Sequence, residues 1–151
     1  MNRNEMVELI AACSQATLVD ADVDAADRFW REDMVFWGPT GMGVLRGRDV
    51  YKEKLLRQWH AAFTGYEGHR EVLAVDEENG LVTMHGYANC VHTGTFLGVP
   101  ATGRTVRGSY MDIWRFQDGL LAENWVAFDM VGLLRQIGGL ADIDVPVTLA
   151  G

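Results

Sequence analysis

The chain divides by the period of its apolar positions. Met6, Leu9, Ile10 and Cys13 fall on one face of a helix that starts near Glu5. The aspartates of 20–24 offer N-caps for a second short helix through Trp30, so helices are expected within 5–31. Met34, Val35, Phe36 and Trp37 form a short apolar run ended by Gly38-Pro39, which reads as a strand and a turn. Tyr51, Leu55, Trp59 and Phe63 then recur every four residues and predict a helix over 48–63, closed by Gly65 in the left-handed conformation.

Beyond Gly65 the period changes to two. Strands are expected at 70–75 and 81–91, on either side of the turn-rich Asp76-Glu77-Glu78-Asn79-Gly80. A glycine-containing loop over 93–103 leads into a strand at 104–116, and Asp118-Gly119 turns the chain into a strand at 120–128. Asp129 is the candidate N-cap of a last helix over 129–137, which Gly138-Gly139 stops. The tail 140–151 lacks a period and reads as an extended arm. No repeat or linker divides the chain, so one domain is expected. Helices packed on one side of a curved, mostly antiparallel main sheet over 70–128 give the α+β class, a cone of strands with the N-terminal helices closing a central pocket.

Composition narrows the partners. Of 151 residues, 48% are hydrophobic, enough for one sizeable core. The net charge is −8 and the basic residues are scattered, which argues against a nucleic-acid surface and against anionic membranes. No apolar stretch approaches the ~20 residues that span a bilayer, and Glu5 and Glu8 interrupt the segment where a signal peptide would be apolar. Cys13 and Cys90 read as reduced, buried thiols of a cytoplasmic protein. The four histidines have no metal-ligand spacing, and neither Gly41 to Gly47 nor Gly94 to Gly103 has phosphate-loop spacing, so no metal and no cofactor is expected.

Three stretches resemble one family. These are Val91-His92-Thr93-Gly94-Thr95-Phe96-Leu97-Gly98-Val99-Pro100-Ala101-Thr102-Gly103-Arg104, Trp114-Arg115-Phe116-Gln117-Asp118-Gly119, and Asp129-Met130-Val131-Gly132-Leu133-Leu134-Arg135-Gln136-Ile137-Gly138. They are similar to the corresponding parts of SnoaL-like polyketide cyclases, whose fold is nuclear transport factor 2-like, a cystatin-like α+β barrel. The resemblance implies a small-molecule pocket and intramolecular aldol closure by acid–base residues alone. It places the key acid, an Asp, at the position of Val126 in Glu123-Asn124-Trp125-Val126, and its accompanying His at Asp112. The usual proton donor is therefore absent. The same fold hosts other enzymes and pure binding proteins, so activity must be argued from the site.

Alternation along 104–116 puts Val106, Gly108, Tyr110, Asp112, Trp114 and Phe116 on one face, with Arg107, Ser109, Met111, Ile113 and Arg115 on the other. Asp112 is the one carboxyl on a face of aromatic and small residues, where lost hydration raises its pKa toward acid–base use. A buried Asp that only ties down its neighbours would look the same in sequence. If Asp118-Gly119 forms a bulged turn, Asn124 and Val126 share the face of Asp112; a strict two-residue turn puts Glu123 and Trp125 there instead. The resemblance implies the bulged register. Asn124 would then hold a carbonyl or enolate oxygen, or merely bond backbone.

His92, at a strand end near the expected pocket mouth, is the third candidate for catalysis, as a proton relay or as a satisfied structural residue. Trp30, Trp37, Trp59, Tyr110, Trp114 and Phe128 are expected as flat apolar walls for a ring-shaped ligand, and Val126 as a further pocket residue. Asp129 lines the inner end of the pocket or caps the last helix. Met111, Ile113 and Trp125 form an apolar patch on the opposite face, which points to a homodimer.

Three functions follow. The first is a cofactor-independent cyclase, isomerase or lyase acting on a polyketide-like or other cyclic carbonyl compound. The second is a non-catalytic small-molecule binding protein. The third is an epoxide hydrolase or hydroxylase-like relative, which needs a second carboxylate or an arginine beside Asp112; Arg104, Arg107 and Arg115 are available in sequence.

Overall fold

The computed structural model describes residues 1–39 and 42–140; the expected tail arm over 140–151 lies, apart from Leu140, outside the described residues. Helix α1 (Arg3–Ser14) begins with a reciprocal cap, in which the Asn2 side chain accepts from the Glu5 amide while the Glu5 carboxylate accepts from the Asn2 amide. Such a box is worth about 1 kcal/mol and defines where the helix starts. Met6, Ile10 and Cys13 bury its inner stripe. The helix continues as a wide π turn, Gln15–Val19, and a 3-10 segment, Val23–Arg28, follows.

The chain then enters β1 (Trp30–Trp37). This corrects the expectation of a helix through Trp30 with a strand only from Met34. The charged trio Arg31, Glu32 and Asp33 masks the strand's alternation, because Arg31 and Asp33 pair with each other along the edge and Arg31 also reaches Asp118. The short β2 (Val44–Arg46), too brief to show a period, pairs antiparallel with β1.

The helix expected over 48–63 is a composite of α2 (Arg48–Tyr51), a π turn (Lys52–Leu56) and α3 (Arg57–Ala62). It ends one residue early. Phe63 passes directly into β3 (Phe63–Asp76), and Gly65, with φ +65°, sits inside that strand instead of capping the helix. Phe63 is drawn into the sheet by its ring contacts with Trp59, His92 and Phe96, so the sheet begins well before residue 70.

The remaining strands are β4 (Leu81–His92), β5 (Thr105–Gln117) and β6 (Leu120–Phe128), followed by α4 (Met130–Gln136). All six form one curved, open sheet in the order β2-β1-β6-β5-β4-β3. It is antiparallel except for the β1–β6 pair, which runs parallel because the helices cross over between the two halves. The sheet thus includes two strands from before residue 70, beyond the expected 70–128.

The concave face and the helices share two hydrophobic clusters. The larger joins Met6, Ile10 and Cys13 of α1 to Trp30, Met34 and Phe36 of β1, Tyr51 and Leu56 of the central helix, and Val82, Trp114, Phe116 and Leu121 of the sheet. The smaller, around Phe63, Cys90, Val106, Leu133 and Ile137, docks α4 on the opposite end of the strands. Between them the helices stand off the sheet, and that gap is the cavity described next.

Candidate functional site

The alternation expected along β5 is the one observed. Val106, Gly108, Trp114 and Phe116 are buried on the inner face, and Arg107, Ser109 and Met111 are exposed on the outer one. The turn that follows is the two-residue form, with Asp118 (φ +52°) and Gly119 (φ +78°) both left-handed. Gln117 and Phe116 pair with Leu120 and Leu121, but Arg115 pairs with Glu123, so Ala122 is an extra residue. The bulge therefore lies two residue pairs beyond the turn. Its effect is to restore parity, so Asn124 faces Trp114, Val126 faces Asp112, and all four share the concave face.

These residues floor a cavity of about 160 Å³. Trp30 and Phe36 of β1, Tyr66 of β3 and Ala88 of β4 extend the sheet side, together with Tyr110, Leu121 and Phe128. The helical side comprises Ile10, Cys13, Ser14, Thr17 and Leu18 on one segment, and Tyr51, Leu55, Leu56 and Trp59 on the other. Pro39, Met42, Phe96 and Met130 complete the wall. Two glycines make room for the rings that lie on the sheet. A Cβ at Gly108 would strike the Phe128 ring, and one at Gly86 would strike the Tyr110 hydroxyl and the His69 carbonyl.

Among the described lining residues Asp112 is the only charged side chain. Asn124, 5% exposed, donates from Nδ2 to Asp112 Oδ1 at 3.2 Å, and the same nitrogen lies 3.3 Å from the Ile113 carbonyl. Burial away from bulk water pushes the Asp112 pKa up to about 7, and the Asn124 bond offsets only part of that rise. The carboxyl thus keeps its proton to higher pH than an exposed aspartate would. Cys13, on the opposite wall, is pushed up to about 11 by burial and stays a thiol, its contact with Thr17 Oγ1 offsetting only part of the rise. Tyr110 is raised first by burial and then by the neighbouring Asp112, and its hydroxyl donates weakly to Met84 Sδ at 3.8 Å.

Of the residues expected at the site, Asp112, Asn124, Trp59, Tyr110, Trp114, Val126 and Phe128 meet in this cavity, as does Trp30. His92, Trp37 and Asp129 do not. His92 is fully buried in the smaller cluster, its ring 5.2 Å from Phe63 and its Nδ1 3.1 Å from Thr102 Oγ1. It closes the β4–β5 end rather than the cavity mouth, because its backbone pairs with Gly103 and Arg104. Trp37 lies on the outer face, stacked on Trp125 at 6.5 Å and donating to Glu123 Oε2 at 3.2 Å. Asp129 is exposed and caps α4 through the Gly132 amide at 2.8 Å.

Tyr51, Tyr66, Cys13 and Thr17 were not singled out for the site from sequence, yet they line it. Tyr51 is legible only as part of the helical stripe. Tyr66 follows the left-handed Gly65 at a register shift in β3, which turns its ring inward without any alternation to announce it.

The model of the family described as SnoaL-like polyketide cyclase matches residues 8–137. No curated protein matches the chain in sequence. Among solved structures, TsrD from Streptomyces laurentii is similar at 24% identity and a TM-score of 0.79, over 93% of this chain and 99% of that one. A candidate SnoaL-like polyketide cyclase from Jannaschia sp. CCS1 is similar at 16% identity and 0.80, over 93% and 99%. AclR from Streptomyces galilaeus, described as a candidate hydroxylase, is similar at 26% identity and 0.73, over 91% and 89%. The fold is thus the nuclear transport factor 2-like one shared by such cyclases.

Proposed function

Since the chain belongs to the SnoaL-like polyketide cyclase family, we propose that it is a cofactor-independent acid–base enzyme of the cyclase, isomerase or lyase type, acting on a small cyclic carbonyl compound held in the cavity. The observation that carries this reading is the Asp112 carboxyl, set in an apolar cavity with Asn124 as its one hydrogen-bond donor among the described residues. A carboxyl of pKa about 7 is suited to take a proton from carbon and to give it back.

In the proposed step, ionised Asp112 removes the proton from a carbon next to a carbonyl, and the C–H electron pair moves onto the carbonyl oxygen. The enolate either attacks a second carbonyl of the same molecule, whose oxygen then takes the proton from Asp112, or is reprotonated at another carbon. Both outcomes return Asp112 to its starting state and need no external oxidant. Asn124 holds the carboxylate in one orientation, which costs little rate to set up because the amide is already fixed by the Ile113 carbonyl.

The hydroxylase-like and epoxide-hydrolase readings have less support. Arg107 stacks over Tyr87, Arg115 pairs with Glu123, and Arg104 donates to the Gln136 carbonyl, so none of the three stands beside Asp112. No second carboxylate is among the described lining residues. We further propose a homodimer through the outer sheet face, where Met111 is 48% and Val72 56% exposed. The free thiols of Cys13 and Cys90 support a cytoplasmic location. No helix among the described residues is long and apolar enough to cross a membrane.

The test is a panel of one- and two-ring enolisable ketones and 1,3-dicarbonyl compounds, assayed with the wild type and Asp112→Asn. Turnover should fall by ~10²–10⁴-fold in the variant with KM little changed. Unaltered kinetics would remove Asp112 from the chemistry, and saturable binding without turnover across the panel would favour the binding-protein reading.

A further inference from the structure

Tyr51 is 7% exposed, lines the cavity, and makes no side-chain hydrogen bond among the described residues. Its ring is held between Trp30 and Phe36, with centroids 5.3 and 5.5 Å away. The hydroxyl is not among the fully shielded side-chain atoms that lack a hydrogen bond, which among the described residues are Trp30 Nε1, Arg48 Nε and His92 Nε2, so it stays accessible at the cavity wall with its hydrogen-bonding capacity unused. The other two phenols differ. Tyr110 is directed at Met84 Sδ, and the Tyr66 ring folds back over Gly68 and is less buried. The backbone after Tyr51 is also irregular, since the π turn Lys52–Leu56 begins at the next residue. That wide turn lets Tyr51, Leu55, Leu56 and Trp59 all reach the cavity, and such turns often mark functional sites.

We infer that Tyr51 is the oxygen-binding donor of this site, its hydroxyl hydrogen-bonding the carbonyl or enolate oxygen of a neutral, ring-containing ketone or phenol whose reacting carbon lies against Asp112. The inference deepens the acid–base reading above and rests on it for the role of Asp112. When Asp112 takes the proton from carbon, the displaced electron pair becomes negative charge on the substrate oxygen. A fixed donor at that oxygen stabilises the charge as it forms, and Tyr51 keeps its own proton throughout. Burial raises the Tyr51 pKa well above its ordinary value, and the neighbouring Cys13, Asp112 and Tyr66 raise it further, so the phenol remains a donor at neutral pH. Two observations set the ligand class. No cationic side chain is among the described lining residues, so a carboxylate or phosphate would find no partner. An apolar cavity of about 150 Å³ takes a benzene ring, and this one of about 160 Å³ encloses a ring of that size.

The test is equilibrium binding of 4-fluorophenol and fluorobenzene, followed by fluorine NMR titration, with no turnover required. The wild type should prefer 4-fluorophenol by about tenfold, the worth of one hydrogen bond. Tyr51→Phe should lose that preference and keep its fluorobenzene affinity within about twofold, which also shows that the cavity survives the change. A preference that persists in Tyr51→Phe overturns the inference, and so does a preference that disappears only in Asp112→Asn. Failure of the wild type to bind either probe overturns the ligand class. None of these outcomes bears on whether Asp112→Asn loses turnover, so the two proposals fail separately.

Discussion

Asp112 and Val126 stand directly opposite each other in the β5–β6 ladder, both on the concave face. Side chains so paired have Cβ atoms roughly 5 Å apart. Resemblance to the cyclases puts their key acid at the Val126 position, so in this chain the carboxyl arises from the facing strand and addresses the same part of the cavity. Val126 lines the cavity beside it and adds no second charge. On the acid–base reading proposed above, Asp112 would serve in place of the acid absent from position 126.

A carboxyl on both strands should be poorly tolerated. In Val126→Asp two acids would share a cavity with no cation in its described lining, so one would stay protonated and the pair would titrate in two steps. We expect the variant to melt well below the wild type at pH 8 and closer to it at pH 4, where both acids are neutral. Equal losses at the two pH values would show that Asp112 carries no charge penalty.

The raised pKa also predicts how stability varies with pH. The folded value of about 7 lies above the ordinary 3.8, so the folded state holds a proton that the unfolded chain releases. The resulting stability is full below pH 4 and is lost as pH rises to about 7. Asp112→Asn removes the ionisation and should gain on the wild type by on the order of 2–4 kcal/mol between pH 4 and pH 8, screening by cavity water included. Urea denaturation at both pH values reads this difference; parallel changes in the two proteins would contradict it.

Most of the fold was legible from apolar periodicity, because along β4 and β5 the inner positions are mostly more buried than the outer ones. The alternation of β5 located Asp112 for that reason. The misses have specific causes. Charged partners hid the start of β1, with Arg31 satisfied by Asp33 and Asp118. His92 has the parity of an inward residue, but parity does not say how far along the strand the cavity extends, and its end of β4 belongs to the smaller core. Trp37 lies beyond a β1 register shift that local spacing does not reveal, on the outer face with Trp125. The Asp118-Gly119 signal specified the turn, while the bulge at Ala122, a residue with no turn character, decided what faced the pocket.

The small residues of the sheet are equally testable. Gly108→Ala would drive a methyl group into the Phe128 ring, which lines the cavity. We expect a loss of about 1–3 kcal/mol, as for other overpacked sites, together with weaker binding of ring-sized ligands. Thermal melting and a 4-fluorophenol titration check both. Unchanged binding would mean that Phe128 does not shape the cavity.

Assembly gives an independent prediction. If the outer face pairs two copies, light scattering at micromolar concentration should return twice the chain mass, and Met111→Asp should shift it to the monomer. A monomeric wild type would remove the dimer.

The central claim is that Asp112 is a carboxyl kept half-protonated at neutral pH by its dry surroundings. Carbon-13 NMR of the aspartate carboxyls across pH 3–9, with Asp112→Asn to assign the resonance, measures this directly. The account predicts one carboxyl that titrates near 7 and vanishes in the variant. An Asp112 resonance that titrates near 4 would contradict it.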